Sequence, residues 1–453
     1  MKYLETSRSF YIKMLTIALP VAMQSVITTG VNLMDTIMLG QLGEIALSAS
    51  ALGNQFITLF QFLCMGISMG ACVLTSRFWG AGDFTSLKKV ITIALRFSML
   101  LGLIFTVANV LFANQILSLY SNEQPVIESG ASYLRWSTLS YLLMALSIVT
   151  MNIMRSVNLP GLPFFASVVA FFVNIGGNYV FIFGKFGMPE MGVAGAALGT
   201  VIARVMETGI ICGYFYAVNT SVGYRVKDLF CKCGELLGEF VRISVPVMIS
   251  DGLLGIGDSA LAMVMGRIGA QFVSANAITL VVQKISTIFI SGVSYAGCFI
   301  TGQTLGEGNQ KAAQRQGYTF LFCGVAVGML AGLIIYVIRE PIISAYNITQ
   351  ETREIARQLM DAISIIIIFR SANSILTKGV LRGGGDTKFL MVADTSMMWL
   401  ISLPLGALAG LVLHWPAFWV FACLNADQIV KAIWCVFRLK SGKWIKKIQS
   451  AAA

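Results

Sequence analysis

The stretch PVAMQSVITTGVNLMDTIMLGQLGEIALSASA, Pro20 to Ala51, returns as PVMISDGLLGIGDSALAMVMGRIGAQFVSANA, Pro246 to Ala277. Pro20 lies over Pro246, Gly40 over Gly266 and Gly43 over Gly269, an offset of 226 residues with no gap. The same offset lays Gly66 over Gly292, Ser68 over Ser294, Gly80 over Gly306 and Gly82 over Gly308. With one residue inserted, Arg155 in MRSVNLPG meets Arg382 in LRGGGDTK. The chain is an internal duplication, so its two halves share one architecture.

What kind of architecture follows from hydropathy. Of the 453 residues, 57% are hydrophobic and 12% charged, and the mean hydropathy is +0.79. A water-soluble protein of this size could not hide so much apolar surface, and the charges cluster between long apolar runs. Twelve such runs lie between residues 13 and 437. Their length and glycine content favour helices, since barrel strands would be about 10 residues with strict alternation. The first run is long and has no small-residue cleavage site, so it reads as a membrane span rather than a signal peptide. The expected fold class is an all-α membrane protein of twelve transmembrane helices in two pseudo-symmetric six-helix lobes.

The net charge of +11 is a topology signal, not a sign of nucleic-acid binding. With the N-terminus in the cytoplasm, 21 Lys and Arg fall on that side, from Lys2 and Arg8 to Lys446 and Lys447. Six fall opposite: Arg135, Lys185, Arg267, Arg339, Arg353 and Arg357. That is the positive-inside asymmetry, with both termini cytoplasmic. Six spans per repeat is an even number, so the repeats are parallel, related by an axis along the membrane normal. The expected organisation is an N-terminal lobe 1–218, a cytoplasmic linker 219–238 and a C-terminal lobe 239–453. Two such lobes enclose a cleft at their interface, a geometry suited to alternating access. Gly66 with Gly70, and Gly292 with Gly297, permit close helix approach. Pro20 and Pro246 each remove a backbone hydrogen bond and mark helix kinks.

Five segments carry a family resemblance: LMDTIMLGQLG, TSRFWGAGDFTSLKK, VNIGGNYVFIFG, GVAGAALGTVIAR and LRGGGDTKFL. In this order they resemble the MATE family, the multidrug and toxic compound extrusion transporters, in its prokaryotic, DinF-like branch. The resemblance covers nearly the whole chain. It implies export of amphipathic, cationic organic compounds in exchange for H⁺ or Na⁺, from a bacterial inner membrane, with no cofactor beyond the coupling ion. It also implies a cation site in the N-terminal lobe. Asp35 matches the family's span-one aspartate, Asn174 and Asn178 an Asn-xxx-Asp pair in span five, and Thr200 a span-six threonine. Asn178 stands where the stricter pattern has a second acid, which leaves one carboxylate in the site.

The residues alone point the same way at Asp35. An ionised Asp in hydrocarbon costs at least about 2.5–3.5 kcal/mol on insertion scales, so intramembrane acids are functional by default. A helix-end cap or a pairing with a buried base is the alternative, and no Lys or Arg is identifiable at similar depth in neighbouring segments. Asn174 and Asn178 share a helix face, and with Thr200 they offer neutral oxygens to a hard cation. Without the resemblance, these three would read as interhelical hydrogen bonds. The second lobe carries Asp251, Asp258 and Asp394, candidates for binding a cationic substrate or a second ion. Asp251 and Asp258, two turns apart, equally suit neutralising Lys284 or Arg370. Arg204 with Glu207, and Asp427 with Lys431, have the spacing of local ion pairs.

Other classes find less support. A lipid or lipid-linked precursor flippase of related fold would call for cationic cavity residues, for which Lys284 and Arg370 are the candidates. The chain has a single His, His414, no zinc-protease or serine–lysine spacing and no P-loop, so it is not expected to be an enzyme. Nine cysteines include one CxC, Cys231 and Cys233, with no second pair and no nearby His, a weak metal signal. Small organic substrates, a coupling cation and the lipid bilayer are the expected partners, and the protein is expected to be a monomer.

Overall fold

The computed structural model describes residues 4–346 and 348–448; Lys2, counted above, lies outside them. The chain is almost wholly helical. In order it forms α1 (Arg8–Gly40), α2 (Glu44–Ala81), α3 (Phe84–Ser118), α4 (Gln124–Trp136), α5 (Thr138–Ser156), α6 (Gly161–Phe183) and α7 (Val193–Val218). The second repeat follows as α8 (Gly234–Ile268), α9 (Ala270–Gly306), α10 (Gln310–Ser344), α11 (Gln350–Leu381), α12 (Thr387–Val412), α13 (Ala417–Leu424) and α14 (Ala426–Lys440). Eleven of these are long and apolar enough to span a membrane, and α13 with α14, bent by 43°, makes a twelfth. The amphipathic α4 precedes the candidate span α5. A 33-residue helix such as α1 is about 50 Å long at 1.5 Å per residue, longer than the roughly 30 Å hydrocarbon core. Such helices tilt or project beyond the membrane.

The duplication is visible in the turns. Gly82 and Gly308 both adopt positive φ, 70° and 79°, where a residue with a Cβ would be strained. The next residue caps the following helix in both repeats. Asp83 accepts from the Ser86 backbone N–H at 3.0 Å, and Asn309 from that of Ala312 at 3.0 Å. Each cap satisfies one of the free N–H groups that open a helix.

It is visible in packing too. A Cβ on Gly80 would lie 2.0 Å from the Gln303 carbonyl oxygen, and one on Gly306 would lie 2.0 Å from that of Arg77. Gly80 corresponds to Gly306 and Arg77 to Gln303 under the 226-residue offset. The contact between the ends of α2 and α9 is thus made twice, with its partners exchanged.

Two compact packing units are present. One comprises the described residues through Ala22, Ser76–Gly82 and those from Val245 onward; the other comprises Met23–Thr75 and Asp83–Ser244. The division cuts α1 and α8 within two residues of Pro20 and Pro246. In the first unit, the opening turns of α1 pack on α9, where a Cβ on Gly292 would lie 2.5 Å from the Ala18 carbonyl oxygen. In the second, the opening turns of α8 pack on α2, where a Cβ on Gly70 would collide with Ser244. Each repeat's first helix therefore starts against the other repeat and joins its own beyond the proline. The missing proline hydrogen bond makes that point the natural one for a change of direction.

The LRGGGDTK loop is a docking site for the segment after α14. Trp444 is completely buried and its indole N–H donates to Gln314 at 2.9 Å. The absence of a side chain on Gly384 makes room for the indole ring, which a Cβ there would overlap. The Lys446 N–H donates to the Gly384 carbonyl at 3.0 Å, and Asp386 pairs with Lys446 and Arg438 at 3.3 and 2.7 Å. Arg77 of α2 donates to the carbonyls of Gly384 and Lys446.

The loop between repeats is held against α3. Thr92 bonds the Tyr224 hydroxyl at 2.9 Å, Arg96 donates to the Leu229 and Cys231 carbonyls, and Lys88 pairs with Asp228 at 3.3 Å. Partial desolvation works against the Asp228 charge, but the Arg225 N–H and the Lys88 ammonium outweigh it and hold the carboxyl below its usual range. Cys231 and Cys233 lie with their sulfurs 3.2 Å apart. Burial, then the neighbouring Cys231, pushes the Cys233 thiol up to about 11, which disfavours the thiolate a metal would need.

Candidate functional site

The four side chains expected to form the cation site meet in the packing unit formed by Met23–Thr75 and Asp83–Ser244. Asn178 donates its amide N–H to Asp35 Oδ1 at 2.5 Å and also approaches Asn174 Oδ1 at 3.4 Å. Asn174 in turn donates to Thr200 Oγ1 at 3.2 Å. Helical spacing puts Asn174 and Asn178 on one face of α6, and both are buried. Two glycines make the arrangement possible. A Cβ on Gly177 would lie 3.1 Å from Gly199 Cα, and one on Gly199 would lie 2.3 Å from Asn178 Oδ1. Close approach of α6 and α7 at small residues carries the amides from one helix to the hydroxyl of the other.

Two features depart from the sequence reading. Asn178 turns an N–H, not its oxygen, toward Asp35, and its buried Oδ1 has no hydrogen-bond partner among the described residues. A base is also present: Arg204, one turn beyond Thr200 on α7, acts electrostatically on Asp35. Depth relative to neighbouring helices is a tertiary property that spacing along one helix does not reveal.

Arg204 and Glu207 form the local pair their spacing predicted, at 2.6 Å. Glu207 is 3% exposed and its other oxygen accepts from the Ser167 hydroxyl at 3.1 Å. Gln24 donates to Ser167 at 2.7 Å and accepts from Arg155, which also donates to Asn152 at 2.8 Å. A buried polar chain thus runs from Arg155 through the turn of α1 after Pro20 to Arg204. Beside it lies a cavity of about 60 Å³, lined in part by Thr28, Asn32, Asn174, Thr200, Arg204 and Glu207. That volume has room for a few waters among polar partners.

The second repeat carries a related chain that the sequence reading left unrecognised. Ser250, four residues past Pro246, donates to Asp394 at 2.8 Å; Asp394 pairs with Lys431 at 2.9 Å, and Lys431 with Asp427 at 3.8 Å. Asp427 also accepts from Ser402 at 2.8 Å. The signal was present: an offset of 226 lays Gln24 over Ser250, and 227 lays Ser167 over Asp394 and Arg204 over Lys431. Asp35 has no acidic counterpart, since Leu261 occupies its place, and Glu207 has none either, since Trp434 occupies its own.

Asp251 pairs with Arg382 at 3.3 Å, not with Lys284 or Arg370. Arg370 donates to Gln283 at 2.6 Å and Asn425 at 3.0 Å. Asp258 has no ion pair or hydrogen bond to any of the described residues, though Arg370, Asp427, Lys378 and Lys431 act on it electrostatically.

These features define a class: a polytopic helical membrane protein, duplicated in sequence, with the Asp35 carboxylate in its first repeat bonded by the Asn178 amide. The MatE family profile matches residues 20–180 and again 246–408, starting at the two equivalent prolines, and the chain belongs to that family of membrane transporters. A Thermotoga maritima protein named "Probable multidrug resistance protein NorM" is 25% identical over 440 residues, covering 96% of this chain and 93% of its own. The Bacillus subtilis "Uncharacterized transporter YisQ" is 24% identical over 415 residues, covering 91% and 90%. A solved structure described as the outward-facing conformation of a multidrug resistance MATE family transporter of the MOP superfamily superposes with a TM-score of 0.85. It has 18% identity and covers 97% of this chain and 99% of its own.

Proposed function

We propose that this protein is a secondary antiporter that exports amphipathic organic cations by alternating access, and that the proton bound at Asp35 is the coupling ion. The observation that carries the reading is the Asp35 site itself: one carboxylate, half-buried in a membrane span, accepting an amide N–H from Asn178. Such a carboxylate can take up and release a proton without rebuilding its surroundings. A sodium ion would ask more. It needs several converging oxygens, the general requirement of hard cations, whereas Asn178 presents a donor and Arg204 brings a positive charge near. Family membership and the names of the relatives support multidrug export. The basic-residue asymmetry supports an inner-membrane protein with both termini cytoplasmic. The substrate's positive charge finds its candidate partner in Asp258, because Asp251 and Asp394 are each paired with a base.

The test is efflux of a lipophilic organic cation from proteoliposomes under separately imposed proton and sodium gradients. The proton gradient alone should drive wild-type efflux, and Asp35→Asn should abolish it while keeping expression and thermal stability. Wild-type rates in Asp35→Asn would overturn the reading.

A further inference from the structure

Arg204 poses a problem for a site that must alternately hold and release a proton. A guanidinium does not lose its charge in proteins. Left alone near Asp35, it would pair with it, and a buried pair that cannot separate would hold the carboxylate ionised. Glu207 lies 2.6 Å from Arg204 on the side of the helix bonded to Ser167. Ser167 is fixed by Gln24 and Gln24 by Arg155, so Glu207 is held from two directions in a place 3% exposed. The second repeat gives an internal comparison. Lys431, the residue matching Arg204, is neutralised by Asp394 and Asp427, and the position matching Asp35 is Leu261. Where no coupling carboxylate exists, the base is taken up entirely by structural acids.

We propose that Glu207 is a positioning residue that holds Arg204 away from Asp35 and so keeps the coupling carboxylate free to bind a proton. The proposal rests on the reading of Asp35 as the coupling site. The charged group acting on Asp35 is Arg204 on α7, and Asp35 in turn faces the Tyr133 phenol on α4; α6 contributes the amide of Asn178, backed by Asn174, and Glu207 acts through Arg204. Removing the Glu207 charge frees Arg204 to pair with Asp35, which then needs more acid to become protonated. Removing the Arg204 charge does the reverse, because the bared Glu207 anion opposes ionisation of Asp35.

The experiment is proton-driven efflux of a lipophilic organic cation from proteoliposomes across a pH series. Wild type, Glu207→Gln, Arg204→Gln, the double variant Arg204→Gln/Glu207→Gln and Asp35→Asn are compared. Glu207→Gln should lower efflux about tenfold at the wild-type optimum, the change that one pH unit makes in a protonated fraction, and move the profile to lower pH. Arg204→Gln should move it to higher pH, and the double variant should recover a profile near wild type. If Glu207→Gln does not fold, Arg204→Gln and the double variant still give different expectations, a shift to higher pH and its reversal. Unshifted profiles in the Arg204 and Glu207 variants, with Asp35→Asn inactive, would overturn this inference alone. Asp35→Asn at wild-type rates would overturn the coupling site beneath it.

Discussion

At Asp35, the contact that matters most is a single amide. A hydrogen bond to a charged group contributes roughly 1.5–3 kcal/mol, and its loss leaves the other partner unsatisfied. Asn178→Ala should therefore destabilise the protein by about that amount. In an Asp35→Asn background the same substitution should have a smaller effect, because the charge is gone. A double-mutant cycle of thermal stability in detergent measures the difference, and additivity within about 0.5 kcal/mol would show that the two side chains do not interact energetically. How far this was legible in sequence is instructive. The family resemblance, not the residues alone, grouped Asn174, Asn178 and Thr200 with Asp35, and the structure brings all four together. Which end of the Asn178 amide faces the carboxylate was not legible, because it depends on the separation of α6 and α7 at Gly177 and Gly199. Nor was the reach of Arg204 to Asp35: the i, i+3 spacing gave its partner but not its depth.

Among the elements, the segment after α14 holds more of the structure than its length suggests. Trp444, Lys446 and Asp386 bind the glycine loop before α12 to α10, α14 and the end of α2. Its sequence, LKSGKWIKK, reads only as a basic tail, since nothing in it announces that Gly384 leaves space for an indole. Trp444→Ala should destabilise the protein by about 3–5 kcal/mol, the usual range for deleting a buried aromatic. Chemical denaturation or thermal shift in detergent checks it, and a change below 1 kcal/mol would mean that the segment docks without Trp444. The helices themselves were far more legible. Prolines and glycines repeated at one offset, and Gly82 and Gly308 recur in the structure doing the same job twice, each followed by a helix cap, Asp83 and Asn309. Pro20 and Pro246 also read as special points; that the opening turns of α1 and α8 pack on the opposite repeat was not legible, because periodicity does not say which neighbour a helix face meets.

For the whole molecule, duplication has produced two related polar chains with different endings. In the first repeat the chain ends beside a carboxylate that no base occupies. In the second it closes on itself as Asp394, Lys431 and Asp427. We propose that this asymmetry divides the labour, the first repeat handling the coupling proton and the second, through Asp258, the charge of the substrate. Because an exchanger carries substrate and proton in alternation, loading one should expel the other. The most direct measurement is proton release on substrate binding. Purified protein in weakly buffered detergent solution is mixed with a lipophilic organic cation, and a pH indicator counts protons per chain. The account predicts about one proton released by the wild type near the middle of its transport pH range and none by Asp35→Asn, with sodium having no effect on either. Equal release from both proteins, or release that appears only when sodium is present, would contradict it.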